Sequence, residues 1–211
     1  MLPLDILSFW FGVVDGKPPR NDVAYIQSRI PLWFGKNEEF EQKQRELAET
    51  GLNLVRDLEN KEAVGLDGEW NTPSGYLARV ILFDQLPRSV FRATAKAFEF
   101  DHLAVKYALK IVEEGIWSSL SAIERLFLIV SIQHSEDLQL QRKGVGLARI
   151  IAEGENEEVS EFFRTLKGFP MEHHDVIEQF GRFPGRNAVL GRDSTEDELA
   201  WLNSPDCPSW A

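Results

Sequence analysis

His134, Asp137 and Gln141 continue, at three- and four-residue spacing, the apolar series Leu126, Phe127 and Val130. On one continuous helix that spacing places all of them on the same side, so three polar groups would face a core. Asp84, with Gln85 beside it, stands in the same relation to Leu77, Val80 and Ile81, and His173 to Val176, Ile177 and Phe180. A buried polar group without a partner costs about 1–3 kcal/mol, more if charged, so these groups need partners. Arginines are at hand: Arg88 and Arg92 just after Asp84, then Arg182, Arg186 and Arg192 with Asn187 among them. A guanidinium fork matches a carboxylate or a phosphate two bonds at a time, so the arginines are expected to brace Asp84 and Asp137, to hold an anionic ligand, or both. A histidine oriented by a carboxylate can serve as a general base near neutral pH, which makes His134 and Asp137 the candidate catalytic pair. The candidate ligand-binding set is Asp84, Gln85, Arg88, Arg92, Gln141, His173, Arg182, Arg186 and Asn187.

The elements that must position these residues are helices, because apolar residues recur at three and four and almost nothing alternates. A short helix from Asp5 carries Ile6, Phe9 and Trp10 and stops at Gly12, before a loop with Pro18 and Pro19. A second starts near Asn21 and is expected to break at Pro31. A third covers Glu38 to Leu58 with Leu47, Leu54 and Leu58 on one side, followed by a turn from Gly65 to Gly68. Thr72-Pro73 is a capping hydroxyl with proline at the first helical position. That helix should run to Leu86, where Pro87 ends or bends it. Asp101 is expected to cap a helix ending at Gly115. Ser121–Glu124 and Thr195–Glu198 read as capping boxes, and another helix spans Glu157 to Phe180. If Ser135 capped a new helix, the inward stripe through His134 would break there.

Successive helix pairs point to an all-α, tetratricopeptide-like array of antiparallel pairs, one domain over residues 1–211. No repeat of fixed period stands out. A net charge of −11, from 34 acidic and 23 basic residues, disfavours a phosphate-tracking nucleic-acid surface and an anionic membrane surface. The longest uncharged apolar run, Ile6 to Val14, is well short of the roughly 20 residues of a membrane span. With one cysteine, Cys207, no internal disulfide can form, so a reducing, cytoplasmic setting is expected. The 14 Phe and 6 Trp need burial, and Trp10, Trp33 and Trp70 read as core.

Several of these segments carry a resemblance. Ile6-Leu-Ser-Phe-Trp-Phe-Gly12, Trp33-Phe-Gly-Lys36, Phe83-Asp-Gln-Leu-Pro-Arg88, Phe91-Arg92, His134-Ser-Glu-Asp137, Phe180-Gly-Arg-Phe-Pro-Gly-Arg-Asn187 and Leu190-Gly-Arg192 occur in order along nearly the whole chain. Together they resemble the bacterial family called domain-of-unknown-function nine-two-four, placed among tetratricopeptide-like folds. The resemblance implies an all-helical single domain and no particular reaction. Relatives usually read Phe-Pro-His-Arg-Asn where this chain has Gly185, so essential chemistry is not expected there. They also carry more aromatic residues where this chain reads Ile129-Val-Ser-Ile-Gln133.

The function expected first is binding of a small anionic metabolite by Arg88, Arg182 and Arg186, with His134 and Asp137 as acid and base if a reaction follows. A protein partner on a tetratricopeptide-like surface, with the polar cluster purely structural, is the second reading. A metal-dependent phosphohydrolase using His174-Asp175 with His134 and Asp137 is the third. No His-Glu-x-x-His, nucleophile elbow or phosphate-cradling glycine loop is present, so neither cofactor nor metal is expected.

Overall fold

The computed structural model describes residues 2–12, 21–34, 37–60, 68–166, 168–208 and 210, with the backbone alone for residues 34 and 53–60. The Pro18–Pro19 loop, most of the Gly65 turn, Gly35 and Lys36, and the side chains of Leu54 and Leu58 lie outside them. Among the described residues all regular structure is helical.

Helix α1 (Pro3–Phe11) has proline in its first turn and ends at Gly12, whose φ is +67°. A β-carbon there would collide with the Tyr25 hydroxyl, so both the backbone and the space call for glycine. The carbonyls that α1 leaves unpaired at its end are taken by α2 (Val23–Phe34). Tyr25 donates its hydroxyl to Phe11 (2.6 Å), Arg29 reaches Phe9 and Trp10 (2.6 and 2.5 Å), and the Trp33 indole also donates to Trp10 (3.0 Å). Pro31, expected to break α2, lies inside it. The buried Ile26 and Trp33 and these cross-helix bonds outweigh the one backbone bond that proline removes.

Helix α3 (Glu38–Asn60) buries Phe40, Leu47 and Leu52. Thr72 caps α4 (Pro73–Val80) by accepting from the Gly75 amide at 3.1 Å. The chain then widens into a π turn, Ile81–Gln85, and narrows again as α5 (Leu86–Val90). The helix therefore continues past Pro87 instead of ending there. Leu86 donates back five residues to Ile81, and Pro87 has no amide proton to give Phe83.

Helices α6 (Asp101–Glu113) and α7 (Ala122–Gln133) follow, α7 opened by the Ser121–Glu124 capping box. The polar stripe does break after α7, because Asp137 caps a new helix, α8 (Leu138–Gly154). The single helix expected from Glu157 to Phe180 is two, α9 (Glu157–Thr165) and α10 (Gly168–Phe180). Gly168 and Pro170 account for the interruption, since proline suits a first helical turn and not an interior. Short α11 (Asn187–Leu190) and α12 (Glu196–Leu202) close the chain, α12 under the Thr195–Glu198 box.

The main core joins α1, α2, α3, α4, α6, α7 and α8 with Val159 and Phe163 of α9. Phe127 is its hub: Trp10 and Trp33 meet its ring edge-on at centroid distances of 5.5 and 5.0 Å. A smaller apolar group, Val176, Ile177 and Phe183, sits under α10. Between the two cores lies the polar cavity described next. Among the described residues no helix is long and apolar enough to cross a membrane.

Candidate functional site

The π turn sets the site. It turns Asp84 fully inward, at 0% exposure, with Arg88 one turn later. Asp84 accepts from His134 Nδ1 (2.6 Å), Arg88 Nη1 (3.0 Å) and the Gln85 amide. Burial alone would raise its pKa, but the Arg88 guanidinium beside it, together with His134 and these hydrogen bonds, more than offsets that and holds it well below the carboxylate range. Arg88 then grips a second carboxylate with both prongs, Asp101 in the first turn of α6, at 2.7 and 2.8 Å. Arg88 also donates to the Asp84 carbonyl (3.0 Å), occupying a backbone acceptor near the π turn.

His134 ends α7. Burial, and secondly the charge of Arg88, push its pKa down despite Asp84, so the ring is neutral at pH 7. An ionised carboxylate 2.6 Å from Nδ1 requires the proton on that nitrogen, which leaves Nε2 as the free acceptor. His173 on α10 is arranged alike: Nδ1 donates to the Phe169 carbonyl (2.9 Å), and burial takes its pKa down to about 3. The Trp210 ring stacks on it at 3.8 Å and 14°.

Arg186 arrives from the far side, on the turn Pro184–Arg186. Its guanidinium lies 4.6 Å from the centre of the Phe98 ring and 4.3 Å from that of Phe183. Its one hydrogen bond among the described residues is a long one, Nη1 to Asp101 Oδ2 at 3.4 Å. Burial, with Arg88 close by, pulls its pKa down to about 10, so it stays charged at neutral pH. Arg88, His134, His173, Arg186 and Gln85 line one cavity of about 440 Å³, with Arg92 and Gly185 also on its wall.

The sequence-predicted residues therefore divide. Asp84, Gln85, Arg88, His134, His173 and Arg186 come together, and Arg92 reaches the rim, more than half exposed and 3.9 Å from Glu41. Asp137 does not join His134. It is exposed, and its carboxylate accepts from the Gln139 and Leu140 amides (2.7 and 3.2 Å) as the cap of α8. Gln141 is buried but donates to the Gln133 and Ser135 carbonyls, both at 2.6 Å, which closes the end of α7. Arg182 pairs in two-pronged fashion with Glu198 (2.6 and 2.8 Å) and lies away from the cavity. Asn187, fully buried, donates to Ser194 and Glu198 and accepts from Arg192. Arg192 in turn grips Glu136 at 2.6 and 3.0 Å.

Phe98, Phe183 and Trp210 line the cavity and Asp101 anchors two of its arginines, roles the sequence does not reveal. Asp101 reads in sequence as the cap of α6, but Phe100 holds the cap position without a side-chain bond, and the Asp101 carboxylate, one residue inside the helix, is turned to Arg88. His174, Asp175 and Glu178 bring candidate metal-ligand atoms within 4.8 Å of one another on the outer side of α10, a cluster that includes neither His134 nor Asp137.

Comparisons with known proteins agree with the all-helical architecture. A solved protein of unknown function from Agrobacterium tumefaciens is similar at 26% identity over 95% of this chain and 96% of its own, with a TM-score of 0.71. No curated protein matches. The model of one family, described as bacterial protein of unknown function (DUF924), matches residues 6–206, and the chain belongs to that family.

Proposed function

We propose that the cavity binds a small anionic ligand through a carboxylate or phosphate group. The observation that carries this reading is Arg186: a charged guanidinium clamped between two aromatic rings, facing a cavity, with one long contact to a carboxylate already taken by Arg88. A guanidinium desolvated to that degree is costly unless a ligand completes its hydrogen bonds. Its planar fork is the group that binds an oxyanion two bonds at a time.

Charge balance sharpens the reading. Asp84 and Asp101 match Arg88 and Arg186, and both histidines are neutral, so a bound monoanion leaves one uncompensated negative charge. A proton on His134 Nε2 restores the balance, with Asp84 stabilising the imidazolium that forms. Binding should therefore take up a proton, and His134 is the group placed to exchange it with the ligand, the arrangement general acid–base chemistry requires. The pairing of α6 with α7, α7 with α8 and α8 with α9 supports a tetratricopeptide-like frame, and the single cysteine supports a reducing, cytoplasmic setting.

Calorimetry with acetate, butyrate and inorganic phosphate in two buffers of different ionisation heat tests this directly. The expected result is binding with net proton uptake, weakened at least tenfold in Arg186→Gln and deprived of its proton uptake in His134→Gln. Binding indifferent to Arg186→Gln would overturn the assignment.

A further inference from the structure

A second cavity, of about 580 Å³, adjoins the polar one between α2, α8 and α9. Its wall is built of Ile26 and Ile30, Ala148 and Ala152, and Phe162 and Phe163. The ions at its margin are already matched: Arg149 with Glu153 at 2.7 Å, and Arg164 with Glu157 and Glu161 at 3.1 and 2.7 Å. Nothing along this wall calls for a charged occupant.

Trp33, Val130 and Phe169 line both cavities. The Trp33 indole proton is spent on the Trp10 carbonyl (3.0 Å), so these three side chains meet both spaces with rings and hydrocarbon only. One end of the combined space thus presents a guanidinium and a proton acceptor, the other presents carbon, and the boundary is apolar.

We infer that the ligand is amphipathic: an unbranched alkyl chain ending in a carboxylate. The head lies against Arg186 and His134 Nε2, and the chain passes Trp33, Val130 and Phe169 into the apolar cavity. The inference rests on the anion-binding reading above and names its substrate class. Carboxylate is preferred to phosphate because one under-used guanidinium and one protonatable nitrogen match a single negative charge, while Asp84 and Asp101 would repel a second. An alkyl chain is preferred to a peptide because the carbon-lined cavity shares an apolar wall with one small polar anchor and its rim charges are self-paired.

The test is titration calorimetry of the full chain with butyrate, octanoate, dodecanoate and dodecanol, each below its aggregation limit. Affinity should rise roughly three- to fourfold per added methylene until the cavity is filled. Dodecanol should bind at least tenfold more weakly than dodecanoate. Ala152→Phe should weaken dodecanoate and leave butyrate unchanged, whereas Arg186→Gln should weaken both. Should Ala152→Phe fail to fold, transferred magnetisation between the terminal methyl of dodecanoate and the Phe162 ring in the unaltered protein gives the same answer. Equal affinity across the acid series, with Arg186→Gln still abolishing it, would overturn the alkyl chain and leave the anion site standing. Equal binding of acid and alcohol, untouched by Arg186→Gln, would overturn both. A concentration-dependent dimer that dodecanoate does not dissociate would assign the apolar cavity to a second copy and overturn the inference.

Discussion

Two of the arginine–carboxylate networks, the C-terminal clasp and the cavity, differ in what is left over. In the C-terminal clasp Arg192 holds both oxygens of Glu136 together with the Asn187 side chain and the Phe183 carbonyl, and Arg182 holds both oxygens of Glu198 and the Asp193 carbonyl. Glu136 also accepts from the Phe183 amide at 2.9 Å, which ties the α7–α8 turn to the segment after α10. Donors and acceptors there match one another. In the cavity Arg88 is satisfied in the same manner, but Arg186 shares an oxygen that Arg88 already holds. A network that closes on itself fixes helices; one with a charged member left short of partners is set up for a guest. Sequence makes the five arginines look alike, and geometry separates them.

The comparison can be broken in four places, taken from the largest expected effect downward. Asp84→Ala should cost about 3–5 kcal/mol, because Arg88, His134 and Gln85 all lose a fully buried partner. The melting temperature should fall by roughly 10 °C. A fall of only a degree or two would mean that Asp84 does not organise the cavity. Glu136→Ala should cost about 2 kcal/mol, the pair being part-exposed, and should leave anion affinity unchanged. Lost affinity in that variant would join the two networks into one.

The third test is pH. His173 has a folded pKa of about 3, and His134 is also depressed, so between the ordinary value of 6.5 and those values the unfolded chain binds protons that the fold refuses. Stability is therefore complete above 6.5 and declines as pH falls, by up to about 1.4 kcal/mol per pH unit for His173. Asp84 and Glu136, whose pKa values are lowered, add to the decline only below their ordinary values of 3.8 and 4.5. Urea midpoints measured in steps from pH 7 to about pH 5 should fall less steeply in His173→Gln. Identical slopes would place the titration elsewhere. Last, Arg186→Gln should shift stability by less than about 0.5 kcal/mol, since relief of a desolvated charge offsets the lost stacking on Phe98 and Phe183. A loss as large as that of Glu136→Ala would make the cavity a second clasp.

Much of the frame was legible in the chain because helix caps are local. Thr72-Pro73, Ser121–Glu124 and Thr195–Glu198 each mark a helix start that the structure contains. The inward polar groups are legible on the same grounds, periodicity alone placing Asp84 and His173 in the interior; Gln141 is buried too, but from a separate helix. Partners are not. His134 pairs with Asp84, 50 residues away, and not with the neighbouring Asp137, because α7 stops where periodicity would carry the stripe on. Proline misled in opposite directions: Pro31 sits inside α2, while Pro170 marks the start of a helix that periodicity had joined to α9. In both cases tertiary contacts or a nearby glycine decided an outcome that a local rule left open.

The π turn also bears on how the family can lengthen or shorten. A π turn takes up one residue more than an α turn over nearly the same rotation, so losing one residue from Ile81–Gln85 would restore ordinary winding. The segments on either side would keep their faces, Arg88 staying beside Asp101, and only the residues of the turn itself would be re-aimed. A single codon deletion there would thus reshape the cavity wall around Asp84 while sparing the scaffold. Chain length through this turn is therefore a quantity to compare among relatives alongside the identity of Asp84.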